Sequence, residues 1–322
     1  MDGKSGEASF PGHRESIMKL ATTIGEVYGY VGGDPAAAVR MYEGTGFRHL
    51  DYSFYRVMAP GHRFMTEDWI RQVEEAGEAA AKLGFDFVQA HSPDYNPFRD
   101  PSDTAYHERG MTATLRSIEA CGRLGIPAIV VHSGYGTEYL YPGDREGYFS
   151  ANRPFYEALI PAMEKWNVKV CIENSAEGNM GNRYFFMTAE EMNAFLAYMD
   201  HPLFGCCWDI GHGHMRGIPP HDELAALGKN LTAVHIHDND GHADQHLAPF
   251  FGTIDMDSVM RGILDAGFTG YFTFESDNFL PFREIHGSGV LAAPPMEVKR
   301  AALRMLYAIG RECLGAYGLF EE

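Results

Sequence analysis

Short apolar runs recur along the chain, each closed by a polar or glycine break. Between them lie longer stretches whose apolar residues recur at helical spacing. The short runs predict strands over residues 19–25, 47–54, 85–91, 126–132, 168–174, 204–210, 231–237 and 270–275. The longer stretches predict helices over 34–44, 66–83, 102–124, 151–166, 188–199, 221–228, 257–266 and 295–314. Local signals support these bounds. Asp34-Pro35 reads as an N-cap followed by proline at the first helical position, and Gly84 stops the helix that precedes it.

Strands that alternate regularly with helices build a parallel sheet, and eight such units are the number that closes a (β/α)8 barrel. The expected class is therefore α/β, a TIM barrel folded as a single domain over residues 18–322. A doubly wound open sheet is the alternative. The chain lacks the Gly-x-Gly-x-x-Gly turn after its first strand that such a sheet would use for a dinucleotide. No linker rich in Pro, Ser or charge divides it. Residues 1–17 are polar, lack the apolar core of a signal peptide, and are expected to form a disordered or extended tail.

In a barrel, chemistry sits at the C-terminal ends of the strands. Here those ends carry Asp51, His91, His132, Glu173, Asp209, His237 and Glu275. The densest stretch is Leu231–His246, LTAVHIHDNDGHADQH. Its strand half puts His235 and His237 on one face, and its loop half adds His242, Asp244 and His246, with no Lys or Arg among them. Acceptors packed so closely repel one another unless a cation or proton is shared. Oxygen and imidazole donors without thiolate suit Mn, Mg, Co or Zn as a divalent ion. His212, three residues beyond Asp209, is placed for a second metal or the substrate. His235, deeper in the barrel, is assigned a supporting role that orients neighbouring ligands. Cys206 and Cys207 lie in an apolar strand and are read as core.

Composition narrows the partners. The 322 residues are 45% hydrophobic and carry a formal charge of −18, from 26 Lys+Arg against 44 Asp+Glu. Such a surface repels phosphate backbones and anionic lipid, so neither nucleic acid nor membrane is an expected partner. No apolar run approaches the length of a membrane span. The five cysteines are odd in number and show no zinc-finger spacing, which fits reduced core thiols in a cytoplasmic protein.

The motifs IEN (172–174), DIGH (209–212), HIHDNDGHADQH (235–246) and FTFES (272–276) resemble the xylose-isomerase-like barrel superfamily. Within it they are most similar to the sugar phosphate isomerase/epimerase group, which holds ketose 3-epimerases and inosose-processing enzymes. The likeness extends over nearly the whole chain past residue 18. It implies a metal quartet of Glu173, Asp209, His237 and Glu275, with His212 as a substrate contact and Glu177, on a looser match, as a further glutamate. It also implies a divalent-metal-dependent isomerase or epimerase that acts on a keto-sugar or related polyol through a metal-stabilised enediolate. Glu173 and Glu275 would exchange the proton from opposite sides, and His91, His132 and His212 would hold substrate oxygens. Tyr52, Phe54, Tyr135 and Trp208 are candidates to pack on the sugar ring. The ketose epimerases place an Arg after the seventh strand, where this chain offers His242, Asp244 and His246.

Two alternatives remain open within the resemblance. The same chemistry ends in elimination if a leaving group lies β to the carbonyl, as in an inosose dehydratase or a 3-keto C-glycoside deglycosidase subunit. His132 would then be the base, and a small partner chain would accompany the barrel. The superfamily also contains endonuclease IV, an abasic-site nuclease with three zinc ions. Its further ligands look matched by His91, His132, His212, Asp244 and His246, although the charge of −18 and the lack of a basic stripe oppose a DNA partner. A homo-oligomer is expected. The cationic candidates for a substrate phosphate near the last strand are Arg283 and His286.

Overall fold

The computed structural model describes residues 17–282 and 293–320. Eight strands run parallel: β1 (Lys19–Thr23), β2 (His49–Ser53), β3 (Asp86–His91), β4 (Ala128–Val130), β5 (Lys169–Glu173), β6 (Phe204–Asp209), β7 (Leu231–His235) and β8 (Tyr271–Phe274). They are ordered β7-β6-β5-β4-β3-β2-β1-β8. The ring closes where the Ile236 amide donates to the Thr273 carbonyl (2.8 Å) and the Glu275 amide to the Ile236 carbonyl (3.0 Å). The TIM barrel expected from the strand count is the architecture found. The tail assigned to residues 1–17 lies outside the described residues except for Ile17, and Arg283 and His286 also lie outside them.

The outer layer is α1 (Pro35–Met41), α2 (Trp69–Leu83), α3 (Thr104–Leu124), α4 (Arg145–Trp166), α5 (Glu177–Met180), α6 (Ala189–Met199), α7 (Ile210–Met215), α8 (Pro220–Leu227), α9 (Met256–Asp265) and α10 (Met296–Gly315). The caps follow the sequence signals. The Asp34 carboxylate accepts from the Ala36 and Ala37 amides, and Thr188 with Glu191 forms a capping box on α6. The departures are α4, which starts six residues earlier than its Tyr/Gly-rich approach suggested, and the short α5 and α7, which fall where polar loops were expected. None of the described helices is long and apolar enough to cross a membrane.

The strand period of two decides which residues reach the barrel axis. Outward residues such as Tyr52, Ile129, Ile172, Trp208, Val234 and Phe272 pack into the core beneath the helices. Inward, Ala128, Val130, Cys171, Cys207 and Ala233 form a small apolar layer, and the polar residues at the strand ends stand above it. All five cysteines are free and buried. The last helix is fastened by a buried charge. Lys299 Nζ donates to Glu26 Oε2 (2.9 Å) and to the Phe279 carbonyl (2.8 Å), which ties α10 to the mouth of the barrel at β1 and β8.

Candidate metal and substrate site

His132, Glu173, Asp209 and His235 each arrive two positions beyond an apolar inward residue of the same strand (Val130, Cys171, Cys207 and Ala233), so the pleat itself aims them at the axis. Glu173 is the hub. Its Oε2 accepts from His132 Nε2 at 2.7 Å and lies 3.7 Å from His91 Nε2, while its Oε1 lies 2.7 Å from His235 Nδ1. His235 Nδ1 is also 3.1 Å from Glu275 Oε2, so the two glutamates flank one imidazole. Across the barrel, His237 Nε2 lies 2.9 Å from both oxygens of Asp209. Asp244 stands over these, with Oδ2 at 3.1 Å from His212 Nε2 and Oδ1 at 3.2 Å from His246 Nε2.

These side chains form three neighbouring sets whose ligand atoms lie within 4.8 Å of one another: His91, His132 and Glu173; Glu173, Asp209, His235 and Glu275; and His212, Asp244 and His246. Cys207 lies just beneath, within the same reach of Glu173 and His235. The donor set is oxygen and imidazole, and His237 Nδ1 is buried and lacks a hydrogen-bond partner among the described residues. Three imidazoles are also held in the orientation that metal ligands use. His91 Nδ1 donates to the Ser92 carbonyl (2.9 Å), His212 Nδ1 to the Asn174 carbonyl (2.9 Å) and His246 Nδ1 to the Glu275 carbonyl (2.8 Å). Each therefore points Nε2 into the site, and the neutral ring offers a lone pair there. The residues fit divalent cations.

The electrostatics show protons filling that role. Burial alone would raise the Glu173 carboxyl, but the charge on His235 and the hydrogen bonds from its imidazole neighbours outweigh burial and hold it well below the usual carboxylate range. Glu275 and Asp244 are likewise depressed against the pull of burial, the first mainly by His235 and the second mainly by His212 and His246. In return, and also against burial, His91 is pushed up to about 9 by Glu173 and Glu275, and His212 to about 10 by Asp209 and Asp244. Asp51, on the inward face of β2, is raised to about 6 by burial, with His235 and His91 opposing.

Local structure fixes the upper half of the site. The Asp209 Oδ1 that faces His237 also accepts the His212 amide (2.7 Å), so one carboxylate caps α7 and positions His212. A side chain at Gly211 would place its Cβ 2.0 Å from Cε1 of His237, which is why the chain turns from strand to helix on glycine here. Gly211→Ala is expected to displace the His237 ring and to destabilise the fold by about 1–3 kcal/mol. Thermal melts and metal content would both fall; an unchanged metal content would show that His237 does not depend on this close approach. The loop after β7 is held by buried Asp238. Its two oxygens accept the amides of Asn239, Ile254, Phe250 and Gly252, which carries Asp244 and His246 back over the barrel. The His237 and His246 rings then stack at 4.0 Å.

Several expectations are redirected. His235, assigned a supporting role, is the imidazole that reaches Glu173 and Glu275, while His237 pairs with Asp209. Glu177 does not enter the site; it forms an ion pair with Arg216 at 2.9 Å on the flank. His242 is exposed at the loop surface. Tyr52, Phe54 and Trp208 face the helical layer, because the pleat sends them opposite to Asp51, Ser53 and Asp209. Of the four aromatic candidates, Tyr135 alone lines the mouth of the site. It is joined there by Tyr55, Tyr95 and Phe185, which sequence reasoning missed because they lie on loops. The cavity above the ligands measures about 380 Å³, and Arg56 is the single Lys or Arg among its described lining residues.

The family model for the xylose isomerase-like TIM barrel matches residues 45–309. The uncharacterized protein MJ1311 of Methanocaldococcus jannaschii is 27% identical over 190 residues, which are 56% of this chain and 63% of that protein. Fructoselysine 3-epimerase of Escherichia coli O157:H7 is 34% identical over 80 residues, 25% of this chain and 29% of the enzyme. The matches thus span less than two thirds of the length of these curated relatives. A D-tagatose 3-epimerase-like protein of known structure superposes with a TM-score of 0.69 at 18% identity, over 92% of this chain and 97% of its own. The strand order, the site at the strand ends and the extent of the family match together establish that this chain belongs to the xylose isomerase-like TIM barrel family.

Proposed function

We propose that the chain is a divalent-metal-dependent isomerase or epimerase of a keto-sugar or related polyol. The observation that carries this reading is the placement of Glu173 and Glu275 on either side of His235, at 2.7 and 3.1 Å, beneath a sugar-sized cavity with aromatic walls. Relatives and structural neighbours described as 3-epimerases support it. Glu173, Asp209, Glu275 and a histidine of the HIH pair would hold one ion, and His91 with His132 and His212 with Asp244 and His246 would hold others. A bound divalent ion supplies Lewis-acid polarisation of the substrate carbonyl.

The chain's own groups carry the proton. One glutamate removes it from the carbon next to the carbonyl, and the other returns it. Return to the opposite face of that carbon epimerises, whereas return to the neighbouring carbon isomerises. His132 Nε2, which touches Glu173, is placed to pass a proton or to hold a substrate oxygen. Tyr55 and Tyr135 line the mouth of the cavity, where they would pack against the sugar. We place the protein in the cytoplasm on account of its five unpaired thiols.

The third ligand set, His212, Asp244 and His246, favours a second reading. Many phosphoester-cleaving enzymes use two neighbouring metal ions. The scarcity of cations at the mouth and the charge of −18 weigh against an extended nucleic acid as its substrate. One assay separates the readings. A panel of ketoses and 3-keto-glycosides, incubated with Mn²⁺ or Zn²⁺ in deuterated water and followed by proton NMR, is expected to show α-proton exchange and a new epimer or isomer. Loss of water or of an aglycone would identify a lyase. Cleavage of an abasic oligonucleotide with no exchange on any ketose would overturn the sugar reading.

A further inference from the structure

Cys206 and Cys207 adjoin on β6, and the pleat separates them. Cys206 packs into the outer core beneath the helices, whereas Cys207 belongs to the small inward layer below the strand ends. The apolar strand predicts a packing role for both, and the structure gives Cys207 a second one. Register sets it against the ligands. Cys207 is the sheet partner of Glu173 on β5 and of Ala233 on β7, and His235 stands one inward position beyond Ala233. The Cys207 sulfur, an oxygen of Glu173 and a ring nitrogen of His235 all lie within 4.8 Å of one another. Donors to one zinc-sized ion stand roughly 3.5 Å apart, so small side-chain rotations bring the three onto one ion. Cys207 is 0% exposed, and Glu173 and His235 are 2% exposed, so the group is closed to water from below.

The other inward thiol supplies a contrast. Cys171 is buried in the same layer, yet it joins no set of neighbouring ligand atoms among the described residues. Burial alone therefore does not bring a thiol to the site; the position beside Glu173, two residues before Asp209, does. Cys207 is also absent from the lining of the cavity above the ligands, so it meets an ion from the side away from the substrate. In the metal-free chain, burial pushes the Cys207 thiol up and keeps its proton in place. A bound divalent ion takes the place of that proton, which leaves to solvent. A thiolate is a soft donor and selects zinc-like ions, whereas Mg²⁺ and Mn²⁺ are suited by carboxylate and water.

We infer that Cys207 Sγ is a ligand of the ion held by Glu173 and His235, and that it sets this position for a thiophilic ion, Zn²⁺ or Co²⁺ in preference to Mn²⁺ or Mg²⁺. The inference rests on the metal dependence proposed above and is independent of which sugar is the substrate.

The test loads chelated protein with Co²⁺ and records the near-ultraviolet spectrum of the wild type, Cys207→Ser, Cys207→Ala and Cys171→Ser. Bound cobalt is counted by elemental analysis, and thermal melts confirm folding. A thiolate on Co²⁺ gives an intense charge-transfer band that carboxylate and imidazole ligands do not. The band is expected in the wild type and in Cys171→Ser, and its loss is expected in both Cys207 variants. In competition for the metal-free protein, the preference for Zn²⁺ over Mn²⁺ should fall by about tenfold or more in Cys207→Ala and stay level in Cys171→Ser. Stoichiometric cobalt without the band in the wild type overturns the sulfur ligand and leaves the metal reading intact, as does a band that survives in either folded Cys207 variant. An unchanged preference in Cys207→Ala overturns the selectivity. If the Cys207 variants do not fold, the wild type and Cys171→Ser still decide, because a band in both has no other inward thiol among the described residues to arise from. Failure of the wild type to bind Co²⁺ or Zn²⁺ at all overturns the metal reading and the sulfur ligand together.

Discussion

Glu173→Gln is expected to lower α-proton exchange on any accepted keto-sugar by about 10²–10⁴-fold. The side chain keeps its shape but loses the charge that three imidazoles share, and its new amide protons face nitrogens that already donate. Because Glu173 belongs to two neighbouring ligand sets, the metal content of the purified protein should fall as well. The metal-free variant should also melt lower, since it leaves a protonated, buried His235 without its nearest carboxylate. Breaking a buried pair in this way costs about 3–5 kcal/mol, and the loss should shrink at high pH, where the imidazole can shed its proton. Proton NMR in deuterated water, metal analysis and melts at two pH values read the three effects. Wild-type exchange in a variant that retains its metal would remove Glu173 from the chemistry.

Raising the pH should destabilise the metal-free protein and strengthen its hold on metal. His91 and His212 are raised from 6.5 to about 9 and about 10 in the folded chain. The folded state therefore binds these protons more tightly than the unfolded one. Their contribution is fully present below about pH 6.5 and is lost as the pH climbs through 9 to 10. Glu173, Glu275 and Asp244 have the opposite sign: each is depressed, and each stabilises above the ordinary carboxylate range and ceases to do so as the pH falls through its folded value. The site thus favours folding most between the ordinary carboxylate and imidazole ranges. Metal must displace the imidazole protons, so its apparent affinity should rise across the same interval in which the metal-free form weakens. Melts of chelated and Mn²⁺- or Zn²⁺-loaded protein from pH 6 to 10 should diverge steadily. A metal-free melting temperature that stays level over that range would show that the imidazoles do not hold the protons assigned to them.

The fold was open to reading because its signal is local and repeated. Eight short apolar runs, each followed by a helical pattern, leave few topologies other than a closed barrel. Asp209, Glu173 and Glu275 were legible as site residues because they end their strands, where a barrel keeps its chemistry. The strand period of two, applied to the same runs, would also have sent Trp208, Tyr52 and Phe54 to the helical layer. Their choice as sugar contacts followed nearness to a strand end and neglected the face. The choice between His235 and His237 was not available in this way, since both share a face. It depends on how β7 is shifted against β6, where the register slips between Cys206 and Cys207.

By itself, then, the sequence determined the barrel, the ends of its strands as the place of chemistry, and a donor set of carboxylates and imidazoles. Those follow from side-chain type and from periodicities a few residues long. The tertiary structure decided which donors meet. His91, His132 and Glu173 come from three strands, and Asp244 reaches His212 because Asp238 gathers amides from as far as Ile254. It also built the cavity above the ligands, whose aromatic lining of Tyr55, Tyr95, Tyr135 and Phe185 comes from separate loops. Contacts between residues tens of positions apart depend on strand register and loop path, which are set by the packing of the whole barrel and leave no short-range pattern in the chain.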